Sequence, residues 1–263
     1  MFKDLADFIN FLEEKKELVR ISTPVSSELE ITEIADRTIK NNGPALLFEN
    51  VDEKQIPVLI NLFGSESRMA WALGIDNLNE LSDIANKLIN LPKNPPKSLM
   101  GKLKILNELI NLSKSSPKIL KKAPCQDIVL TGSDINLFEL PILKCWPADA
   151  GKFITLPLVI TRNLNTGQRN VGTYRMQVYD EKTTGMHWQT HKVGTAHYRK
   201  AKDIGNGKME VAVAIGGDPV TIWSGSLPLP PDMDELLVAG VLKGSAVELV
   251  KCKTVDLEVP ANC

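Results

Sequence analysis

The sequence predicts an α+β protein in which a small α/β domain precedes a β-rich domain. Helix-like and strand-like patterns alternate up to residue 91. The stretch 92–97 carries three prolines, which exclude regular structure there. Short β-prone runs between turn signals dominate after Pro124. We therefore assign residues 1–123 to an N-terminal α/β domain and residues 124–263 to a second domain.

The elements of the first domain follow from the spacing of its apolar residues. Three-and-four spacing predicts helices beginning near Leu5 and Leu29, and Gly43-Pro44 ends the second of them. Continuous short apolar runs predict buried strands. The predicted elements are, in order, helix 5–12, strand 18–21, helix 29–39, strands 45–48 and 57–62, and helices 67–73, 78–91 and 103–112.

The second domain is predicted as an antiparallel sheet or barrel interrupted by a single amphipathic helix. That helix is predicted over Met233–Leu242, with Pro231 suited to its first position and Gly244 at its end. The predicted strands are 128–130, 154–161, 170–179, 186–191 and 210–215.

The bulk composition excludes several classes of protein. The 263 residues carry a net charge of -1, so no basic excess attracts nucleic acid or an anionic membrane. No apolar run reaches the ~18 residues that a membrane span needs. The first residues include Asp4 and Asp7 and do not form a signal peptide. The four cysteines are scattered without a CxxC pair, which favours reduced thiols in a cytoplasmic protein.

A predicted hairpin gathers the polar residues with the clearest chemical potential. The run 170–179 carries Arg175 in its middle, residues 180–185 have turn chemistry, and 186–191 form the returning strand. Pairing Asp180 with Met186 places Arg175 opposite His191 and on the same face as His187 and Gln189. Asn170 has the opposite parity and joins them only if the strand bends, most cheaply at Gly172. The alternative is a surface hairpin with scattered polar residues.

Glu235, at the start of the predicted helix, admits two interpretations. It could simply complement the positive end of the helix dipole and point to water. It could also be a metal ligand, because an Asn oxygen, a His nitrogen and a Glu oxygen suit a hard divalent ion that also holds a phosphate. Two other features are given no chemistry: Gly216-Gly217-Asp218-Pro219 is predicted as a tight turn, and His197 as a solvated residue.

The chain resembles the UbiD family over essentially its whole length. Segments with ordered spacing carry the resemblance: Glu17-Leu18-Val19-Arg20-Ile21, Gly43-Pro44-Ala45-Leu46-Leu47-Phe48-Glu49, Cys145-Trp146-Pro147, Asn170-Val171-Gly172-Thr173-Tyr174-Arg175, Trp188-Gln189-Thr190-His191, Gly217-Asp218-Pro219, Glu248-Leu249-Val250-Lys251-Cys252 and Leu257-Glu258-Val259-Pro260-Ala261. The resemblance implies that the second domain is a split β-barrel like that of flavin reductases, here incomplete.

The resemblance also implies the cofactors and the residues that hold them. The expected cofactor is prenylated FMN, its phosphate tied to Mn²⁺ or Mg²⁺, with or without K⁺. Metal ligands are implied at Asn170, His191 and Glu235, and Arg175 is implied beside the substrate carboxylate. Cofactor contacts are implied for Thr173, Tyr174, Arg175, His187, Trp188, Gln189, His191, Lys192 and Val193.

The implied activity is non-oxidative decarboxylation of an aromatic or α,β-unsaturated carboxylic acid. The expected substrate is polyprenyl-4-hydroxybenzoate in ubiquinone synthesis or its counterpart toward menaquinone, which could hold the enzyme at the inner membrane's edge. A flavin prenyltransferase would supply the cofactor, and the full-length protein would be a homo-oligomer. The family's acidic run, Glu-Gly-Pro-x-Gly-acid, is missing from these 263 residues. We therefore expect a truncated chain that is inactive alone; the alternative is a flavin- and metal-binding module without turnover.

Overall fold

A computed structural model describes residues 1–89, 112–204, 207–229 and 233–263. These residues form a mixed α+β fold with four three-stranded sheets, so the predicted class is confirmed. No closed barrel forms among the described strands, and the split barrel stays a prediction. The helix predicted for 103–112 lies almost wholly outside the described residues, as does Pro231.

The first sheet has the order β1-β2-β3. Strands β1 (Leu18–Ile21) and β2 (Ala45–Phe48) are parallel, and helix α2 (Glu30–Lys40) connects them. Parallel neighbours need such a crossover, which explains the strand–helix–strand pattern of the sequence. Strand β3 (Val58–Ile60) runs antiparallel to β2. These predicted elements are confirmed.

Three other helices accompany this sheet. Helix α1 (Leu5–Glu14) begins at Asp4, whose carboxylate accepts a hydrogen bond from the backbone N–H of Asp7, and it buries Phe8 against the sheet. Helices α3 (Glu66–Leu73) and α4 (Glu80–Ile89) follow β3. All three were predicted from apolar spacing and are confirmed.

The remaining strands form three sheets, each centred on one strand. Their order is β10-β6-β7, β5-β8-β9 and β12-β11-β4. The strands are β4 (Lys118–Leu120), β5 (Phe153–Ile154), β6 (Leu158–Arg162), β7 (Arg169–Thr173), β8 (Met176–Val178), β9 (Thr184–Met186), β10 (Ala212–Ala214), β11 (Glu248–Lys251) and β12 (Glu258–Pro260). Strand β4 pairs in parallel with β11, although it precedes the predicted boundary at residue 123, which stays a prediction.

Three predicted strands differ from what the structure shows. Residues 128–130 lie between short 3₁₀ turns, and Ile128 is 81% exposed, because no neighbouring strand takes up this apolar run. The run 186–191 is a strand only at Met186. The run 170–179 is split at Tyr174 and Arg175, so that β7 and β8 belong to different sheets.

The hairpin register differs from the predicted one. Met176 pairs with Met186, so Arg175 lies opposite His187 rather than His191, and the backbone N–H of His187 donates to the carbonyl of Arg175 at 3.0 Å. The shift is an even number of residues, so it keeps each side chain on its predicted face.

A tight turn causes this shift. The carboxylate of Asp180 accepts hydrogen bonds from the backbone N–H groups of Lys182 (2.9 Å) and Thr183 (2.7 Å), and the N–H of Tyr179 donates to the carbonyl of Thr183. An Asp at this position closes a short loop by bonding its own backbone. The predicted six-residue turn therefore becomes shorter, and the strands pair closer to it.

The prediction of a single helix in the second part is also wrong. Besides α7 (Glu235–Lys243), the described residues include α5 (Val193–Ile204) and α6 (Pro219–Ser224). Asp234 caps α7, which therefore starts two residues later than predicted, and Gly244 ends it as expected with φ of 67°. The predicted turn 216–219 opens α6, where Asp218 is the N-cap.

His197 was predicted to be solvated, and this is wrong. It lies on α5 and is buried, with its Nδ1 2.9 Å from the hydroxyl of Thr161 on β6. The apolar residues of α5 are few and its early residues include Gly194 and Thr195, which form helices poorly, so a packed helix was hard to predict here.

Candidate cofactor site

Strand β7 is the edge of its sheet, and polar groups from two helices cover that edge. The outward N–H of Val171 donates to the Glu235 carboxylate at 2.9 Å. The outward N–H of Thr173 donates to the carbonyl of Gly225, just after α6, at 2.9 Å. An uncovered edge would leave these donors unpaired, so β7, α6 and α7 are joined through them.

Glu235 is buried, with 7% of its surface exposed, so the predicted dipole residue pointing to water is wrong. Burial raises the pKa of its carboxyl to about 7, against the opposing effect of the hydrogen bond from Val171. The neighbouring cation, Arg169, forms ion pairs with Asp234 at 2.6 Å and with Glu258 at 3.4 Å. Glu235 therefore lacks a close countercharge among the described residues, and a bound cation would favour its ionised form.

Asn170 comes to the same edge through its place in the chain, next to Val171. It is 6% exposed, and its Nδ2 atom has no hydrogen-bond partner within the described ranges. The amide of Asn can be turned over, so either of its two atoms can face a ligand. Asn170 is thus the chain neighbour of the residue whose N–H binds Glu235, and the metal site predicted for the two stays a prediction.

His191, the third predicted ligand, lies in an exposed turn before α5. In the part of the chain that the structure describes, no three side chains of the His, Cys, Asp and Glu types are grouped to hold a metal ion. The predicted donor set is therefore two buried oxygen-bearing side chains and one histidine on a surface loop.

The segment 187–192 is anchored by Trp188. Its ring meets Tyr174 edge-on, with centroids 6.1 Å apart, and also contacts Tyr198 on α5 at 6.0 Å. A Cβ at Gly194 would lie 2.9 Å from the indole nitrogen, so only glycine lets α5 approach this closely. The predicted cofactor residues His187, Gln189, Lys192 and Val193 are exposed around this anchor.

The sequence predicted a bend at Gly172, and the structure shows none. The glycine instead makes room for the ring of Tyr174. A Cβ at residue 172 would lie 2.5 Å from that ring. Because the ring is buried and held by Trp188, Gly172→Ala should destabilise the protein by about 1–3 kcal/mol.

Urea unfolding of the variant measures this cost. Gly151→Ala is the matched control, since its new Cβ would meet only the Gln177 amide, at 3.3 Å. A loss of stability no larger than that of the control would show that Tyr174 moves freely, against the described packing.

Three buried polar atoms that have no hydrogen-bond partner among the described residues belong to the predicted cofactor and metal site. Such orphaned atoms cost about 1–3 kcal/mol each unless a ligand or water satisfies them. They are Asn170 Nδ2, Thr173 Oγ1 and Trp188 Nε1. Two of them lie on β7 and one in the segment 187–192, and a polar ligand or water would satisfy each of them.

Arg175 lies in the link between β7 and β8, which belong to different sheets. It faces an acidic residue, Asp149, that the sequence analysis did not identify. Its guanidinium donates to both carboxylate oxygens of Asp149, at 2.9 and 2.5 Å, and lies 3.7 Å from the ring centroid of Phe153. The Arg175 guanidinium holds the pKa of the Asp149 carboxyl below its usual range. The Trp146-Pro147-Ala148-Asp149 turn was the only signal in the sequence for this contact.

Cys145 lies beside the same guanidinium, where burial raises the pKa of its thiol. A thiol of this kind is a poor nucleophile. The carbonyl of Cys145 accepts a hydrogen bond from the Thr32 hydroxyl on α2 at 2.8 Å, and Lys144 pairs with Glu28 at 2.8 Å. The arginine site is thereby tied to the first sheet's connecting helix.

Two family models match the chain. The model described as the 3-octaprenyl-4-hydroxybenzoate carboxy-lyase Rift-related domain matches residues 118–263. The model described as the N-terminal domain of the same carboxy-lyase matches residues 9–88. Within the described segments, no helix has the length and apolar character to cross a membrane.

Curated relatives match along the whole chain. An uncharacterized protein of Aquifex aeolicus is 52% identical over 264 residues, covering 99% of this chain and 53% of the relative. One of Archaeoglobus fulgidus is 47% identical over 261 residues, with 99% and 53% coverage. The chain therefore spans about half the length of these relatives.

Solved structures share the fold. An evolved dimeric form of the UbiD-class enzyme HmfF from Pelotomaculum thermopropionicum, in complex with prFMN, is 28% identical with a TM-score of 0.81, covering 99% of this chain and 55% of that one. The closed form of vanillic acid decarboxylase from Sedimentibacter hydroxybenzoicus is 27% identical with a TM-score of 0.81, covering 100% and 53%.

Proposed function

The chain belongs to the UbiD family, and from this premise we propose that it forms the cofactor-binding part of a non-oxidative decarboxylase that uses prenylated FMN. The proposal assigns substrate handling to Arg175 and cofactor contacts to Thr173, Tyr174, Trp188 and their neighbours in 187–193. It includes a split-barrel architecture for residues 124–263.

The observation that carries the proposal is the set of orphaned polar atoms. Thr173 and Trp188 each present a buried donor with no partner within the described ranges. A phosphate or a flavin carbonyl would satisfy such donors, because both are strong acceptors. Two related structures of HmfF hold prFMN and FMN, which supports a flavin in this chain.

Loss of CO₂ from an aromatic or vinylic carbon leaves electron density that no side chain stabilises, and the bound cofactor would supply the electron sink. This chain's own residues have a different role. Arg175 presents a planar donor that suits a carboxylate, and Phe153 packs against one of its faces. Together they would orient the acid for bond cleavage.

We propose Asn170, Glu235 and His191 as the residues that would hold a divalent cation, Mn²⁺ or Mg²⁺, with or without K⁺. Glu235 fits because its burial without a close countercharge favours a cation at this carboxylate. Asn170 fits because its amide is buried and lacks a partner among described residues. The cation would tie the cofactor phosphate to the protein.

For the substrate we propose an aromatic or α,β-unsaturated carboxylic acid. The related vanillic acid decarboxylase acts on a phenolic acid, which supports a ring-bearing substrate. Polyprenyl-4-hydroxybenzoate, for ubiquinone or menaquinone synthesis, is the finer proposal and rests on the family description. A flavin prenyltransferase as cofactor supplier, a homo-oligomeric full-length protein and a cytoplasmic location complete it.

A second candidate is a flavin- and metal-binding module without turnover. The absence of the Glu-Gly-Pro-x-Gly-acid run from these 263 residues favours it for the chain alone. The two candidates separate on CO₂ release. The 263-residue chain loaded with prenylated FMN should release none, because no carboxylate of that run delivers a proton, whereas the full-length protein should release it.

Thr173→Val tests the cofactor site through two measurements, the stability of the flavin-free protein and the retention of flavin, which should not fall together. In the flavin-free protein, removing the orphaned hydroxyl should leave stability unchanged or raise it. In protein co-expressed with a flavin prenyltransferase, the same change should lower flavin retention about 10-fold, since a charge-assisted hydrogen bond is lost. Flavin content per chain is measured by absorbance and mass spectrometry.

Thr161→Val is the matched control on the neighbouring strand. Its hydroxyl is satisfied by His197, so the change should cost about 1–3 kcal/mol of stability while flavin retention stays unchanged. Failure of the unaltered protein to retain flavin, or equal retention in the Thr173→Val variant, would contradict the proposed site.

A further inference from the structure

We infer that Asp149 is a positioning residue for Arg175. Together with Phe153, Asp149 fixes the orientation of the guanidinium. The guanidinium N–H groups that are not bonded to Asp149 then receive the substrate carboxylate. The inference rests on the proposed function, which makes Arg175 the carboxylate-binding residue.

Asp149 is held independently of the arginine. Its backbone N–H donates to the carbonyl of Trp146 at 3.0 Å, and its carboxylate accepts the N–H of Trp146 at 3.1 Å. The turn thus fixes both ends of the aspartate, whose side chain is only 11% exposed. A carboxylate fixed in this way can orient a flexible partner.

The arginine is constrained on two sides. Asp149 takes one N–H from each terminal nitrogen, and the Phe153 ring packs under the guanidinium at 3.7 Å. A guanidinium has five N–H donors in one plane, so two bonds to Asp149 define the direction of the others. The contact therefore determines where a second carboxylate can bind.

The energetics favour keeping Asp149 in place when substrate binds. Displacement would break a two-pronged ion pair and leave a largely buried aspartate without its countercharge, which typically costs far more than an exposed pair is worth. A carboxylate received on the remaining donors avoids this cost. Asp149 also offsets the charge of Arg175, so the site directs a carboxylate without binding the ground state excessively tightly.

The test uses Asp149→Asn in the full-length holoenzyme, with kcat for decarboxylation and the Kd for benzoate by calorimetry. We expect kcat to fall about 10- to 100-fold because the guanidinium is misaligned, while the benzoate Kd does not rise because the site has gained positive charge. Phe153→Leu, which keeps apolar bulk but removes the ring, should show the same split between kcat and Kd. Crystals of Asp149→Asn with benzoate should show the guanidinium turned away from Phe153.

Asp52→Asn is the matched control, since it weakens the ion pair with Lys152 (3.3 Å) without touching Arg175. It should leave both kcat and Kd unchanged. An unchanged kcat in Asp149→Asn, or a fall in kcat matched by an equal loss of benzoate affinity, would overturn the inference alone. Wild-type protein that binds no benzoate and releases no CO₂ would overturn the proposed function and this inference with it. Benzoate binding without turnover would contradict only the proposed decarboxylase activity. The crystal geometry and the benzoate Kd of Asp149→Asn would then decide whether Asp149 positions Arg175.

Discussion

Replacing Arg175 by Lys is expected to leave flavin binding intact and to lower kcat/KM of the full-length holoenzyme by about 10²-fold or more. Lysine keeps the positive charge but has no planar, two-pronged set of donors. It cannot bind both oxygens of Asp149 and a substrate carboxylate in one plane. Bound flavin is read from absorbance, and turnover from CO₂ release at several substrate concentrations.

Arg20→Lys provides a matched control for this change. Arg20 also binds a carboxylate through two nitrogens, at 2.6 and 2.9 Å to Glu13, but on the first sheet. It should cost little, because exposed ion pairs contribute at most about 1 kcal/mol. Full activity of the Arg175→Lys enzyme, or an equal loss in the control, would remove Arg175 from substrate handling.

Glu235→Gln is expected to lower bound metal and retained flavin about 10-fold or more, the scale of effect seen when groups at a metal site are altered. Glutamine keeps the size of the side chain and an oxygen that can accept the Val171 N–H. It lacks the charge that a divalent cation requires. Metal is measured by elemental analysis of protein purified after co-expression with a flavin prenyltransferase, and flavin by mass spectrometry.

Glu258→Gln is the control for this prediction. Glu258 is also buried, but its carboxylate is taken by Arg162 at 2.7 Å and by Arg169 at 3.4 Å. Its substitution should lower stability and leave the metal content unchanged. If Glu235→Gln retains metal and flavin at wild-type levels, the acid serves only to cover the edge of β7.

The elements of the first sheet were predictable because each has a local cause. Apolar spacing and the Gly43-Pro44 stop define α2, and the run Ala45–Phe48 is buried as a strand. The second part was less predictable because its sheets depend on distant pairings. Strand β4 pairs with β11, which follows about 130 residues later, and no local pattern records such a partnership.

In the candidate site too, features with a local cause were predictable and features that depend on distant contacts were not. Arg175 and Glu235 were identified through resemblance, but the register of the hairpin was not, because the side chain of Asp180 decides the length of its turn. Asp149 was missed, since its role depends on a contact with a residue 26 positions away in sequence. A turn-forming aspartate is common, and nothing local distinguishes one that meets an arginine.

The hydrogen bond from Val171 to Glu235 has a consequence for self-association. An edge strand with free N–H groups can recruit a strand from another molecule, and proteins commonly block this route to aggregation. In this chain the block is a carboxylate that would also bind a cation. Substitutions at residue 235 that remove the acceptor therefore uncover a template for intermolecular pairing, so insolubility of such variants would not by itself indicate a lost metal.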